Sequence, residues 1–263
     1  MKRLFALILT GLLLPGCAAC GGVSPSEPSA TTQEPPTEPG NLKFNAQVNR
    51  LLEDGSPYSL ITADPVGFSW LYIDQDNPLG LDFAPEFGQA VEVELVPGTL
   101  RMDGDDNPGA ARAAVKSMRP AVPPVAVQYV RANGPYEEPK QKTIVVESKR
   151  ELDEYYRANR QPGRESWEPD KYNFDDAHDG SKSFAEAMER YDEAFFGDNL
   201  LVLAVLVEPS GSYRHMVTGV EGNAITVRRF ISYPADCEMA NWHIMVEIGR
   251  EGWDVSGFVL AIV

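Results

Sequence analysis

Residues 200–207 read LLVLAVLV, eight apolar side chains with no polar break. A bilayer span needs about 20 such residues, so this run cannot be one. A half-buried strand or an amphipathic helix would show polar positions at its own period. An unbroken run of this length, closed by Glu208-Pro209, predicts a central strand buried on both faces. The rest of the C-terminal half has to supply layers to cover it. Val125–Val130 and Thr143–Val146 read as strands, and Tyr213–Val220 and Ile225–Phe230 flank a Gly222-Asn223 turn as an antiparallel hairpin. Trp242–Ile248 alternates, and Phe258–Val263 closes the chain. Ser148 with Glu151 and Ser183 with Glu186 have capping-box spacing. They predict one helix to about Asn159 and a second through Phe184, Met188, Tyr191 and Phe195, stopped at Gly197-Asp198-Asn199. The polar stretch Gln161–Gly180 between them reads as a long surface loop. Residues 124–263 are therefore expected to be α+β: a mostly antiparallel sheet with two helices.

The preceding segment, 43–119, carries shorter alternations. Phe44-Asn-Ala-Gln-Val48 and Val91-Glu-Val-Glu-Leu95 have the period of half-buried strands. Turn signals are frequent: Asp54-Gly55, Asp64-Pro65, Asn77-Pro78, Pro97-Gly98 and Asp103-Gly104. Short strands at near-regular spacing predict a small closed or half-closed β-barrel. The order F-x-A-x-V, Trp70-Leu-Tyr-Ile73, then Gly88-Gln-Ala-Val-Glu-Val93, and a last strand at Lys116-Ser-Met118 resembles the OB-like barrel domains of Gram-positive lipoproteins. Ala121-Val-Pro-Pro124 marks the joint between the two parts.

The N-terminus has the pattern of an exported chain. Lys2 and Arg3 precede an apolar run from Leu4 to Leu14, which is a secretory leader in length and flanks. Leu14-Pro-Gly-Cys17 resembles the bacterial lipobox. That resemblance implies cleavage after residue 16, diacylation of Cys17 and a membrane anchor on the extracytoplasmic face. Residues 17–42 hold several prolines and no aromatic or basic side chain, so they read as a tether that cannot bury a core. Cys20 lies in that tether, and pairing with Cys237 is not expected.

In the C-terminal half, Tyr191-Asp-Glu-Ala-Phe-Phe196, Asn199-Leu-Leu-Val-Leu203 and Ser210-Gly-Ser-Tyr213 resemble the PrcB-like domain. Gly211-Ser-Tyr-Arg214-His215 and Cys237-Glu-Met-Ala-Asn-Trp242-His243 resemble related lipoproteins of Clostridia type. The resemblance implies an accessory domain without catalysis, whose founding member stabilises a surface protease complex. The Ser210-Gly-Ser-Tyr213 turn departs from the founder's T-G-G-Y.

Composition narrows the function classes. Asp plus Glu number 39 against 23 Lys plus Arg, for a formal charge of −16. An acidic chain lacks the basic face that nucleic acid requires. Three cysteines do not make a disulfide scaffold. No G-x-S-x-G, H-E-x-x-H, P-loop or G-x-G-x-x-G motif is present. Arg214, His215, Trp242 and His243 are the candidate binding residues. If the strands starting at Tyr213 and Trp242 are neighbours, the two histidines meet across a sheet. With Cys237 nearby in sequence, the two histidines could also make a zinc site or a Cys–His nucleophile and base, though neither has a signature. An exposed Trp242 would favour binding, and a buried one plain structure. Asp103, Asp105 and Asn107 have the opening spacing of a calcium loop but lack its Gly and Glu. No metal or cofactor is expected. The expected function is that of a lipid-anchored, non-enzymatic accessory or binding module for another envelope protein. Capture of a sugar or peptide is the alternative, with a hydrolase behind it.

Overall fold

The computed structural model describes residues 42–74, 79–104, 107–135, 141–162, 168–231, 238–251 and 257–263. The segments read as leader and tether, up to residue 41 and including Cys17 and Cys20, lie outside them, as do Asp105 and Cys237. The described residues form one compact unit, α+β and mostly strand. None of their helices is long and apolar enough to cross a membrane.

Seven strands make the first sheet: β1 (Lys43–Leu51), β2 (Pro57–Ile61), β3 (Trp70–Ile73), β4 (Ala90–Leu95), β5 (Arg101–Met102), β6 (Ala110–Ala113) and β7 (Val115–Pro120). Their order is β5-β6-β3-β2-β1-β4-β7. β4 follows its V-E-V-E-L pattern: Val91, Val93 and Leu95 point inward, while Glu92 and Glu94 lie half-buried on the other face. Phe44, Val48, Leu60, Leu71 and Met118 join them in one core, so the sheet curls around it. The register is irregular in β1, between Val48 and Leu51, and in β4, at Glu94/Leu95. Such bulges add twist without closing the ladder. Among the described residues β5 and β7 end the sheet without pairing to each other, so of the closed or half-closed barrel expected the closed form is not found.

The second part begins with β8 (Val127–Ala132), β9 (Gln141–Val146) and α1 (Lys149–Asn159). α2 (Phe184–Met188), α3 (Glu193–Asp198), β10 (Asn199–Glu208), β11 (Tyr213–Glu221), β12 (Ala224–Ile231), β13 (Ala240–Gly249) and β14 (Val259–Ile262) follow. β10 is the apolar run and lies inside a four-stranded sheet, β8-β13-β10-β9, all antiparallel. One face packs on a three-stranded sheet, β11-β12-β14, through Leu200, Val202, Ala204 and Leu206 against Val217, Ile225, Val227 and Leu260. The other face carries Leu201, Leu203 and Val205 under the helices. Both layers demanded by the run are therefore present. β14 runs parallel to β12, whereas β8, β9, β10, β11, β12 and β13 pair with one another antiparallel.

Two expectations change. The single second helix is broken in two. Asp192 accepts a hydrogen bond from the Phe195 N–H, so it caps a new helix, α3, four residues after α2 ends. The stretch Gln161–Gly180 is also more than surface. Tyr172 and Phe174 are buried in the helical core, and Asn173 and Tyr172 bridge to Asn133 and Arg160. Tyr172-x-Phe174 is a two-residue alternation too short to stand out among its polar neighbours.

A fourth, smaller core joins the parts. Ile61, Trp70 and Ala110 of the seven-stranded sheet pack on Phe230 of β12, with Met216 of β11 beside them. Arg228 Nη1 donates to the Ala63 carbonyl (2.8 Å), and Gln47 Nε2 to the His215 carbonyl (3.0 Å).

Candidate binding cleft

Three of the four candidate residues come together, and one does not. Trp242 and His243 are consecutive on β13, so their side chains leave opposite faces of the sheet. Trp242 enters the core between the sheets, and His243 faces the helices. His215 is on β11, in the other sheet, so the histidines are separated by the four-stranded sheet rather than paired across it.

Trp242 is 1% exposed. Phe87 stacks on it (centroids 6.2 Å apart, 14° between planes), His215 meets it edge-on at 5.4 Å, and the Arg214 guanidinium lies over it at 5.5 Å. His215 is equally buried. Its Nε2 lies 2.8 Å from Glu208 Oε1, and Glu208 also faces Arg229 at 3.4 Å. Burial lowers the His215 pKa against the opposing pull of Glu208. Glu208, the lone carboxylate closing the apolar run, was not foreseen; its place in that run was the available signal.

Arg214 also reaches Asp179 (3.1 Å), which pairs with the buried Arg131. Asp179 has φ +55° and Gly180 φ +83°. Two successive left-handed residues turn the chain tightly enough to hold that carboxylate over both guanidinium groups. His243 is boxed by Tyr172, Phe174 and Phe184, and its Nε2 lies 3.0 Å from Tyr155 Oη. Burial drives its pKa down to about 3, and drives that of Tyr155 up. Each candidate side chain is thus spent on packing and internal pairing.

Asp103 is likewise engaged, with Arg112 Nε at 2.8 Å, and Asn107 Nδ2 reaches Tyr72 Oη at 3.5 Å. Among the described residues no three His, Cys, Asp or Glu side chains gather as metal ligands.

Open space lies beside this node. A cleft of about 1080 Å³ separates the end of the seven-stranded sheet from β8 and α2. Phe87, Tyr129, Met216 and Val217 line its depth. The Val217 N–H donates to Tyr129 Oη at 2.8 Å, and desolvation raises the Tyr129 pKa. Val122, in the Ala121–Pro124 connector, stands 96% exposed at the cleft. Proline at 123 and 124 restricts the backbone that presents it. Gln128 Nε2 ties the β8 wall to α2 through the Ala187 carbonyl (3.1 Å) and Tyr191 Oη (2.8 Å). Lys182 Nζ bridges to Glu86 at 2.9 Å, between residues 96 apart in sequence.

Comparison with known protein families, with curated proteins and with solved structures finds no match to this chain.

Proposed function

We propose that the protein is a lipid-anchored extracytoplasmic lipoprotein that acts as a non-enzymatic binding module for another envelope protein, received in the cleft. Cys17 is the anchor in this reading, residues 17–42 the spacer, 43–119 an OB-like half and 124–263 a PrcB-like half. The observation that carries it is the cleft itself. It has an apolar interior, charged walls and an exposed valine held at its mouth, whereas Trp242, His215 and His243 are committed to internal contacts. A pocket with mostly apolar lining and a few convergent polar groups is the default binding site of a protein.

The test is photocrosslinking in intact cells, with the photoreactive residue at Val122 and a control at Val259, which is 65% exposed on β14. One reproducible protein captured from position 122, absent from position 259 and lost in a Cys17→Ser variant, is the expected result. Equal capture from both positions, or none from either, overturns the reading. A second reading, capture of a small sugar or peptide, is favoured by the cleft volume, which is near the upper end of small-ligand pockets at roughly 1,000 Å³. Its signature is a co-purifying small molecule with no crosslinked protein.

A further inference from the structure

We propose that the cleft takes an extended, cationic peptide segment, which adds as a strand to the outer edge of β8. This rests on reading the cleft as the binding site and adds the chemistry of its occupant. Two independent observations carry it: a stretch of strand edge along the cleft, at Val127 and Tyr129, with no backbone partner, and a surplus of negative charge around it.

β8 is the terminal strand of its sheet. The carbonyl of Ala126 accepts from the Glu247 N–H (2.9 Å), toward β13. The Arg131 N–H points the other way, to Ser181 Oγ (3.4 Å). Backbone groups alternate sides along a strand, so the N–H and C=O of Val127 and Tyr129 also point away from β13. Both residues line the cleft. Among the described residues no strand and no other hydrogen bond meets them on that side. An unpaired row of donors and acceptors is a template for another strand, and an extended peptide added there draws affinity from the main chain and specificity from alternate side chains.

The charge selects the side chains. The cleft is lined by Asp64, Glu86, Glu186 and Glu189 against Lys182 and Arg190. Both cations already have partners, Lys182 with Glu86 and Arg190 with Glu247 (3.0 Å). The Glu186 carboxylate is held below the usual range by its hydrogen bonds to Ser183, and so stays ionised. Asp64 accepts the Asn45 N–H but no cation, and Glu189 has no ion pair among the described residues. A segment alternating Lys or Arg with aliphatic residues would set its cations against these carboxylates. Its apolar side chains would then face Phe87, Met216 and Val122.

The experiment titrates the full chain with a capped Lys/Val alternating peptide, a Glu/Val counterpart, and the Lys/Val peptide N-methylated at alternate amides. Binding is read from amide chemical shifts of residues 126–130. The Lys/Val peptide should bind, shifting those residues, and weaken about tenfold as ionic strength rises past the point where the screening length falls to about 8 Å. The Glu/Val peptide and the peptide methylated on its β8-facing amides should each lose at least about fivefold, since one lacks the charge and the other the ladder. Val127→Pro removes an outward N–H that the native ladder does not use, so the variant should fold and lose binding to a similar degree. Glu189→Lys should weaken the Lys/Val peptide and spare the methylation effect. Equal binding of the two charge types, or no effect of both methylation and Val127→Pro, overturns the proposal. If position 122 crosslinks a protein in cells but no peptide binds, strand addition fails and the binding-module reading stands. If peptides bind as described but nothing is captured at position 122, the reverse holds.

Discussion

His243 is a weak base made weaker by its site. Its pKa is about 3 in the folded chain against 6.5 for the free side chain. A folded pKa depressed in this way means that the unfolded chain binds the extra proton. The stability from keeping His243 neutral is complete above about pH 6.5 and is lost as the pH falls toward about 3. Unfolding free energy should drop by roughly 2 kcal/mol between about pH 7 and pH 5 from this group alone. His215, shifted in the same direction, adds to the slope. Urea titrations at the two pH values check this, and His243→Gln should flatten the slope by about one proton. An unchanged slope would mean that the imidazole is not held neutral. Gly88 is the second informative residue. Its φ is +80°, and a Cβ there would sit 2.8 Å from Tyr129 Cδ2. Gly88→Ala should cost about 2 kcal/mol or more, from backbone strain and displacement of the Tyr129 ring together, seen as a lowered urea midpoint.

The elements show which local signals survive in the fold. The Ser148 and Ser183 caps start helices where the sequence predicts them, and the Gly222 turn joins the expected hairpin, because each signal satisfies backbone groups within a few residues. The break between α2 and α3 was hidden because Phe184, Met188, Tyr191 and Phe195 keep helical spacing across it. Asp192 decides it by capping. Asp192→Ala should destabilise α3 by about 1 kcal/mol, visible as faster amide exchange at Phe195 and Phe196 with little change in β10. The Tyr172-x-Phe174 segment escaped detection for the opposite reason. Its burial comes from long-range bridges to Asn133 and Arg160, which no local period encodes.

At the scale of the whole molecule, the question is whether the halves behave as one. The junction core of Ile61, Trp70, Ala110 and Phe230, and the Phe87 ring on Trp242, tie the seven-stranded sheet to the C-terminal layers. One cooperative unfolding transition is expected. Phe230→Ala should lower it by about 3–5 kcal/mol, and Phe87→Ala should lower it less, since Phe87 is only half-buried. If Phe230→Ala instead splits the transition in two, the junction is the weakest link between separately stable halves. The same junction makes the cleft, whose walls come from segments far apart in the chain.

The sequence by itself determined the central strand, the hairpin at Gly222, the starts of the helices at Ser148 and Ser183, and the acidic balance. These follow from local periodicity, from caps and turns, and from counting. Only the tertiary structure decided that His215 and His243 lie in different layers, that Trp242 is buried, that the seven-stranded sheet does not close, and that a cleft with a stretch of unpaired strand edge opens at the junction. Those are properties of packing. They depend on which face a residue takes and on which distant segment covers it, and no spacing along the chain carries that information.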